Sequence, residues 1–98
     1  MAVHIDPEGN EIEALQRIGD WRGNRVIEIG CGDGRLTLRL AGLGAVVHAI
    51  DPDAEAIRMA RKNRPKKFAR RIRYRVGQAE HLEQREASFD LAVFSWVL

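Results

Sequence analysis

Residues 26–34 have the sequence Val-Ile-Glu-Ile-Gly-Cys-Gly-Asp-Gly, and this stretch decides the fold. The apolar, β-branched start predicts a buried strand, and the three glycines at every second position predict a tight turn. Leu36, Leu40 and Leu43 then recur at the spacing of one helix face. A strand, a glycine turn and a helix in this order form the first unit of an α/β fold. In such folds, ligands bind at the carboxyl ends of the strands.

The glycine spacing narrows the choice of ligand. A dinucleotide-binding turn has the pattern G-x-G-x-x-G. Gly30 and Gly32 fit it, but the third glycine would fall at Arg35, and glycine stands at position 34 instead. Glu28, two residues before the turn, would repel a pyrophosphate and attract a cation. The turn therefore favours a cationic ligand over NAD.

The same turn resembles the first motif of the class I S-adenosylmethionine-dependent methyltransferases, E/D-x-G-x-G-x-G, at every fixed position. The resemblance implies an α/β fold with a Rossmann-like open, mostly parallel sheet and flanking helices. It also implies S-adenosylmethionine as the cofactor, a molecule with a sulfonium and an ammonium but no phosphate. On this resemblance the first group of cofactor-binding residues is Glu28, Gly30, Cys31, Gly32 and Gly34.

A second strand is predicted over residues 45–50, which are mostly apolar and end at Asp51. Asp51 lies 21 residues beyond Gly30, the usual place for an acid that holds ribose hydroxyls. The methyltransferases carry an acid at the same point, so we expect Asp51 and Pro52 to contact the cofactor. The alternative is that Asp51 only caps the next helix, roughly 52–63, with Pro52 at the first helical position.

The remaining predicted sites follow the third and fourth strands. Residues 71–76 alternate apolar and arginine, which predicts a half-buried strand at an exposed sheet edge. The loop after it resembles the adenine-contacting motif of the family, although Gln78 stands where aspartate is usual. Residues 89–98 resemble the family's fourth strand, whose end flanks the methionine part of the cofactor. These regions add Gln78, Ala79, Glu80, Phe94 and Ser95 to the expected site.

The domain organisation follows from the same resemblance. Residues 1–22 are predicted as an irregular lead-in with a short helix, and residues 23–98 as a partial domain. The family sheet has seven strands in the order 3-2-1-4-5-7-6, of which this chain supplies the first four. Its fourth strand is then expected to have an unpaired apolar edge. We expect a C-terminal half or a second copy of the chain to cover that edge.

Composition limits the class of protein. The chain has 98 residues, 45% of them hydrophobic, and no apolar run approaching the ~20 residues that span a bilayer. Cys31 is the only cysteine, which excludes an internal disulfide and favours the cytoplasm, and we expect a packed residue rather than a reactive thiol. No metal site is predicted. Ten Lys and Arg without an acid fall within residues 58–75. A solvent-exposed face is favoured there over a nucleic-acid site, because few aromatic residues interleave.

These observations predict transfer of the sulfonium methyl group to a nucleophile by in-line displacement. Such a reaction depends on proximity and orientation, so no catalytic residue is assigned. A small-molecule acceptor is expected, since residues 26–98 resemble the broad group that contains the quinone-biosynthesis methyltransferases. Three alternatives stay open: a half-domain that binds a nucleotide sugar or NAD, a truncated non-catalytic cofactor-binding or scaffold module, and a fragment of an RNA methyltransferase.

Overall fold

The computed structural model describes residues 2–4, 17, 19–78 and 89–94. The predicted N-terminal helix therefore lies outside the described residues, except for Arg17. The sites predicted at Ala79, Glu80 and Ser95 also lie outside them.

The described residues form a parallel sheet with helices on one face. Its elements in chain order are β1 (Ala2–His4), β2 (Arg25–Ile29), α1 (Arg35–Gly42), β3 (Val46–Asp51), α2 (Ala54–Asn63), a 3₁₀ turn (Lys66–Phe68), β4 (Ile72–Val76) and β5 (Leu91–Phe94). The strands lie in the order β1-β5-β2-β3-β4, and every neighbouring pair is parallel. The four strands predicted from the sequence are confirmed as β2 to β5, and the α/β fold class is confirmed with them.

The first strand, β1, corrects the sequence analysis. Residues 2–4 are not part of an irregular lead-in: they pair in parallel with β5, with Ala2 opposite Ala92 and His4 opposite Phe94. The β5 edge that was expected to be unpaired is therefore hydrogen-bonded to another strand of the same chain. A three-residue strand is too short to carry a periodic pattern, so only the long-range pairing defines it. Whether a second copy or further chain packs at this end of the sheet stays a prediction.

The core is divided between the two faces of the sheet. Every second residue of each strand points to the helices, and these residues form one buried cluster with residues of α1 and α2. Its strand members are Val26, Val47, Ala49, Ile72, Tyr74, Leu91 and Val93. A smaller cluster of Ile27, Ile29, Ile50 and Ala92 lies on the opposite face, with Phe89 and Phe94 packed against it. Both faces of β2 are thus buried, as its apolar, β-branched residues Val26, Ile27 and Ile29 predict.

Helix α2 begins later than expected, and its N-cap is Asp53. The Asp53 side chain accepts hydrogen bonds from the backbone N–H groups of Glu55 and Ala56. The alternative in which Asp51 caps this helix with Pro52 at its first position is therefore wrong. Asp53 takes the cap because it directly precedes Ala54, the first helical residue, and its extended backbone suits that role. Asp51 therefore does not cap α2.

Candidate functional site

The glycine turn between β2 and α1 has the backbone conformation that its sequence predicts. Gly30, Gly32 and Gly34 have φ values of +79°, +56° and +94°, a region that other residues rarely occupy. No heavy atom lies within 4 Å of the position that a Cβ would take at Gly32. A Cβ at Gly34 would instead collide with the Tyr74 hydroxyl. The turn is therefore open to a ligand at Gly32 and packed from inside at Gly34.

Three backbone N–H groups of the turn donate hydrogen bonds to the end of β3. The N–H groups of Gly30 and Cys31 donate to the Ile50 carbonyl, at 2.9 and 3.1 Å. The N–H of Gly32 donates to Asp51 Oδ2 at 2.9 Å. The neighbouring strand end thus holds the first half of the turn in one conformation.

Asp51 is positioned as the sequence predicts, at the mouth of the turn, but with backbone partners that the sequence did not reveal. Its Oδ1 accepts a hydrogen bond from the N–H of Asp53 at 2.8 Å, while Oδ2 binds Gly32. The residue is half-buried. An ionised carboxylate has about four acceptor positions, so it can accept further hydrogen bonds while it keeps these two.

Glu28 is buried beneath the turn rather than exposed at its mouth. Its side chain is 0% exposed and points to the helix side of the sheet, where Thr37 Oγ1 donates a hydrogen bond to its Oε1. Contact between Glu28 and the cofactor stays a prediction. The register of β2 places odd-numbered residues on the opposite face, so Glu28 points inward beneath α1. In this conformation its carboxylate contacts Thr37 and adds negative charge beneath the turn.

Tyr74 is a site residue that the sequence analysis missed. It is buried on β4, hydrogen-bonds with Thr37, and its hydroxyl lies against Gly34. Burial raises the pKa of Tyr74 to about 12, against the opposing effect of the Thr37 hydrogen bond. The alternation of residues 71–76 placed Tyr74 inward, but no local signal gives its reach to the turn. Glu28, Thr37 and Tyr74 form a buried chain of polar groups that supports the turn from below.

Cys31 is packed in the turn and is 7% exposed, as expected for a structural residue. Burial raises the pKa of its thiol far above the ordinary value, and the negative charges of Glu28, Asp51 and Asp33 raise it further. The thiol is therefore protonated and unreactive at neutral pH. The same effect shows that three carboxylates act together on the turn, which makes its surroundings electronegative.

The other predicted residues meet at the same end of the sheet. The register pairs Ile29 with both Ile50 and Phe94, and Asp51 with Val76, so the strands end together. Pro52 and Gln78 are exposed just beyond these ends. Phe94 is half-buried at the end of β5 and packs on the face opposite the helices. The described part of the predicted site is thus one region at the carboxyl ends of the strands.

The described residues lack two further features. They contain no group of three or more His, Cys, Asp or Glu residues that could hold a metal ion. None of the helices described is long and apolar enough to cross a membrane.

Comparison with known proteins identifies the family. Residues 26–98 match the family model of a methyltransferase domain. The chain belongs to the class I S-adenosylmethionine-dependent methyltransferases. The match begins at β2 and includes the glycine turn, Asp51 and β5, which are the elements that build the site.

Curated relatives of this methyltransferase domain include enzymes of one named pathway. It is 40% identical over 79 residues to the mitochondrial ubiquinone biosynthesis O-methyltransferase of Rattus norvegicus, covering 78% of this chain and 23% of that protein. It is 41% identical over 76 residues to the ubiquinone biosynthesis O-methyltransferase of Methylocella silvestris, covering 78% and 29%. The chain thus spans less than a third of the length of these relatives.

Solved structures confirm the fold. An S-adenosylmethionine-dependent methyltransferase from Mesorhizobium loti superposes with a TM-score of 0.75 at 28% identity, covering 93% of this chain and 42% of the other. An RNA methyltransferase from Salinibacter ruber, in complex with S-adenosyl-L-homocysteine, gives a TM-score of 0.73 at 21% identity, covering 89% and 57%. The second likeness concerns the fold alone.

The described turn fits S-adenosylmethionine, the cofactor of the family. Gly32 leaves open space where a side chain would stand in the way of a ligand. Glu28, Asp33 and Asp51 place negative charge around the turn, which matches a sulfonium and an ammonium. A pyrophosphate at the same place would be repelled by the charges of these acids. The charges around the turn therefore agree with S-adenosylmethionine and disagree with a dinucleotide.

Proposed function

We propose that this chain binds S-adenosylmethionine at the glycine turn and forms the cofactor-binding part of an enzyme that methylates a small-molecule hydroxyl group. The observation that carries the proposal is the anchoring of Asp51 to Gly32 across the mouth of the turn. This bond holds the carboxylate in one orientation beside open space. A polar group fixed in this way binds a ligand without losing further side-chain freedom.

The roles of the residues follow from their positions. Asp51 accepts hydrogen bonds from the ribose hydroxyls with the acceptor positions that Gly32 and Asp53 leave unused. Gly32 allows the ligand to approach the backbone. The field of Glu28 and Asp33 stabilises the cationic groups. Pro52, Gln78 and Phe94 line the same end of the sheet.

When bound, S-adenosylmethionine supplies an electrophilic methyl group on its sulfonium. The protein residues described above bind and orient the cofactor, and the acceptor must be held in line with the methyl group. In-line methyl transfer of this kind requires no general acid or base from this chain. The catalytic residues for the acceptor side are left unassigned.

The class of acceptor is supported by the curated relatives. Their names place O-methylation in ubiquinone biosynthesis, which supports an oxygen nucleophile on a small molecule for this chain. A reducing, cytoplasmic location forms part of the proposal, supported by the single, buried cysteine.

The site can be tested directly by nuclear magnetic resonance, because a chain of 11.1 kDa gives resolved backbone amide signals. Adding S-adenosylmethionine should shift the amide signals of residues 30–34 and 51–53. The signals of residues 66–70, which precede β4 at the end of the sheet opposite the turn, serve as the internal control. Shifts confined to the control segment, or the absence of shifts at saturating cofactor, would contradict the proposal.

A further inference from the structure

Four arginine side chains line one cavity at the β4 edge of the sheet. The cavity has a volume of about 450 Å³, and its lining residues are His48, Arg61, Arg64, Arg73, Tyr74 and Arg75. Arg61 comes from α2 and Arg64 directly follows it, whereas Arg73 and Arg75 come from β4. The fold therefore gathers arginines from separate elements into one place, which the run of charges in the sequence does not predict.

Two of these arginines are held by the backbone of the edge strand. Arg61 Nη2 donates to the Tyr74 carbonyl at 2.8 Å, and Arg64 Nη1 donates to the Ile72 carbonyl at 2.9 Å. The two carbonyls are two residues apart on one strand, so the guanidinium groups are spaced by roughly 6–7 Å along the edge. Each guanidinium has five N–H donors, so each keeps several for a ligand.

Arg73 and Arg75 lie on the face of β4 away from the helices. Both are exposed, and the parallel register places them beside His48 and Ile50 of β3. His48 is half-buried and packs edge-to-face against Phe89, with ring centroids 5.0 Å apart. These two arginines repeat along the strand with the same spacing as the pair on the edge.

No acidic side chain in the described lining balances the positive charge of this cavity. The lining contains no carboxylate, and residues 58–75 include no Asp or Glu. The ion pair between Arg58 and Glu55 involves an arginine outside the lining. Four guanidinium groups around one cavity repel each other, and an anion with several charges relieves that repulsion.

We propose that this cavity binds an anion that carries two or more phosphate groups. Guanidinium groups match phosphate because their planar N–H pairs bind two of its oxygens at once. The spacing of the four groups fits more than one phosphate. The cavity shares Tyr74 with the glycine turn, but its arginines come from β4 and the end of α2, and β3 lies between β4 and β2. This proposal replaces the expectation that residues 58–75 form only a solvent-exposed face.

The ligand class is tested with three probes on the 98-residue chain. Tripolyphosphate is titrated by calorimetry, a short single-stranded RNA oligonucleotide by fluorescence anisotropy, and a polyglutamate peptide by both methods. Binding of tripolyphosphate alone supports a free polyphosphate, and binding of RNA alone supports a phosphodiester chain. Binding of both supports recognition of the shared phosphates. Binding of none, or equal binding of polyglutamate, overturns the proposal.

Matched variants separate the cavity from general surface charge. Arg73→Gln/Arg75→Gln removes two charges from the lining, and Lys62→Gln/Lys66→Gln removes two exposed charges elsewhere in the same stretch. The cavity variant should lose affinity at least about tenfold, and the lysine variant less than about threefold. Arg61 and Arg64 are left in place because they bind the strand edge. Urea unfolding and S-adenosylmethionine titration of both variants should match the parent chain. Equal losses in the two variants contradict the proposal.

Discussion

Asp51 accepts a hydrogen bond from the backbone N–H of Gly32 at 2.9 Å, and this contact joins the end of β3 to the glycine turn. It fixes the carboxylate beside Gly32. No heavy atom lies within 4 Å of the Cβ position of Gly32, whereas that of Gly34 is blocked by Tyr74. A single bond therefore relates the acid that is expected to hold ribose to the turn that is expected to admit the cofactor.

The first prediction compares the two acids after β3. Asp51→Ala should weaken S-adenosylmethionine binding by ~1.5–3 kcal/mol, because charged hydrogen bonds to the ribose are lost. Asp53→Ala should leave the affinity nearly unchanged but lower the free energy of unfolding by ~1 kcal/mol, since Asp53 caps α2. Calorimetry and urea unfolding measure the two quantities. Equal losses of affinity in both variants, with both still folded, would assign Asp51 a purely structural role.

A second prediction concerns the packing of Gly34 against Tyr74. Gly34→Ala should destabilise the chain by ~1–3 kcal/mol, because φ is +94° and the new methyl group collides with the Tyr74 hydroxyl. In Gly34→Ala/Tyr74→Phe that collision is relieved, so the combined loss should be smaller than the sum of the single losses. Urea unfolding of the four chains tests this. Additive losses would mean that the two residues do not contact each other.

The third prediction uses Tyr74, the only tyrosine in the sequence. Burial raises its pKa from 10.0 to about 12, so the folded chain retains the phenol proton more strongly than the unfolded chain. This contribution to stability is complete below pH 10 and is lost as the pH rises toward 12. Tyrosinate absorbance of the folded chain should therefore titrate above pH 10. Tyr74→Phe should show a flatter loss of stability over the same range. Titration at the ordinary value would show that the hydroxyl is solvated.

A fourth prediction concerns Cys31. Because burial and then the neighbouring carboxylates raise its thiol pKa, alkylation by iodoacetamide at neutral pH should be very slow in the folded chain. It should become fast in urea, where the thiol is exposed. Rapid alkylation under native conditions would show that the turn opens. If cofactor binds over the turn, saturating S-adenosylmethionine should slow the native reaction further.

The sequence predicted those parts of the structure that depend on local pattern. The strand, turn and helix of residues 25–42 follow from apolar periodicity and glycine spacing, and the position of Asp51 follows from its distance to Gly30. The burial of Glu28 against Thr37 was not predicted, because this contact depends on which face of β2 meets α1. The reach of Tyr74 to Gly34 and the pairing of β1 with β5 are long-range contacts. No local pattern encodes such contacts.

The most direct test of the central claim is a side-by-side calorimetric titration of the chain with S-adenosylmethionine and with NAD. The acidic surroundings of the turn favour the cationic ligand and oppose a pyrophosphate. The account predicts saturable 1:1 binding of S-adenosylmethionine, weakened by ~1.5–3 kcal/mol in Asp51→Ala, and at least about tenfold weaker binding of NAD. Tighter binding of NAD than of S-adenosylmethionine would contradict it.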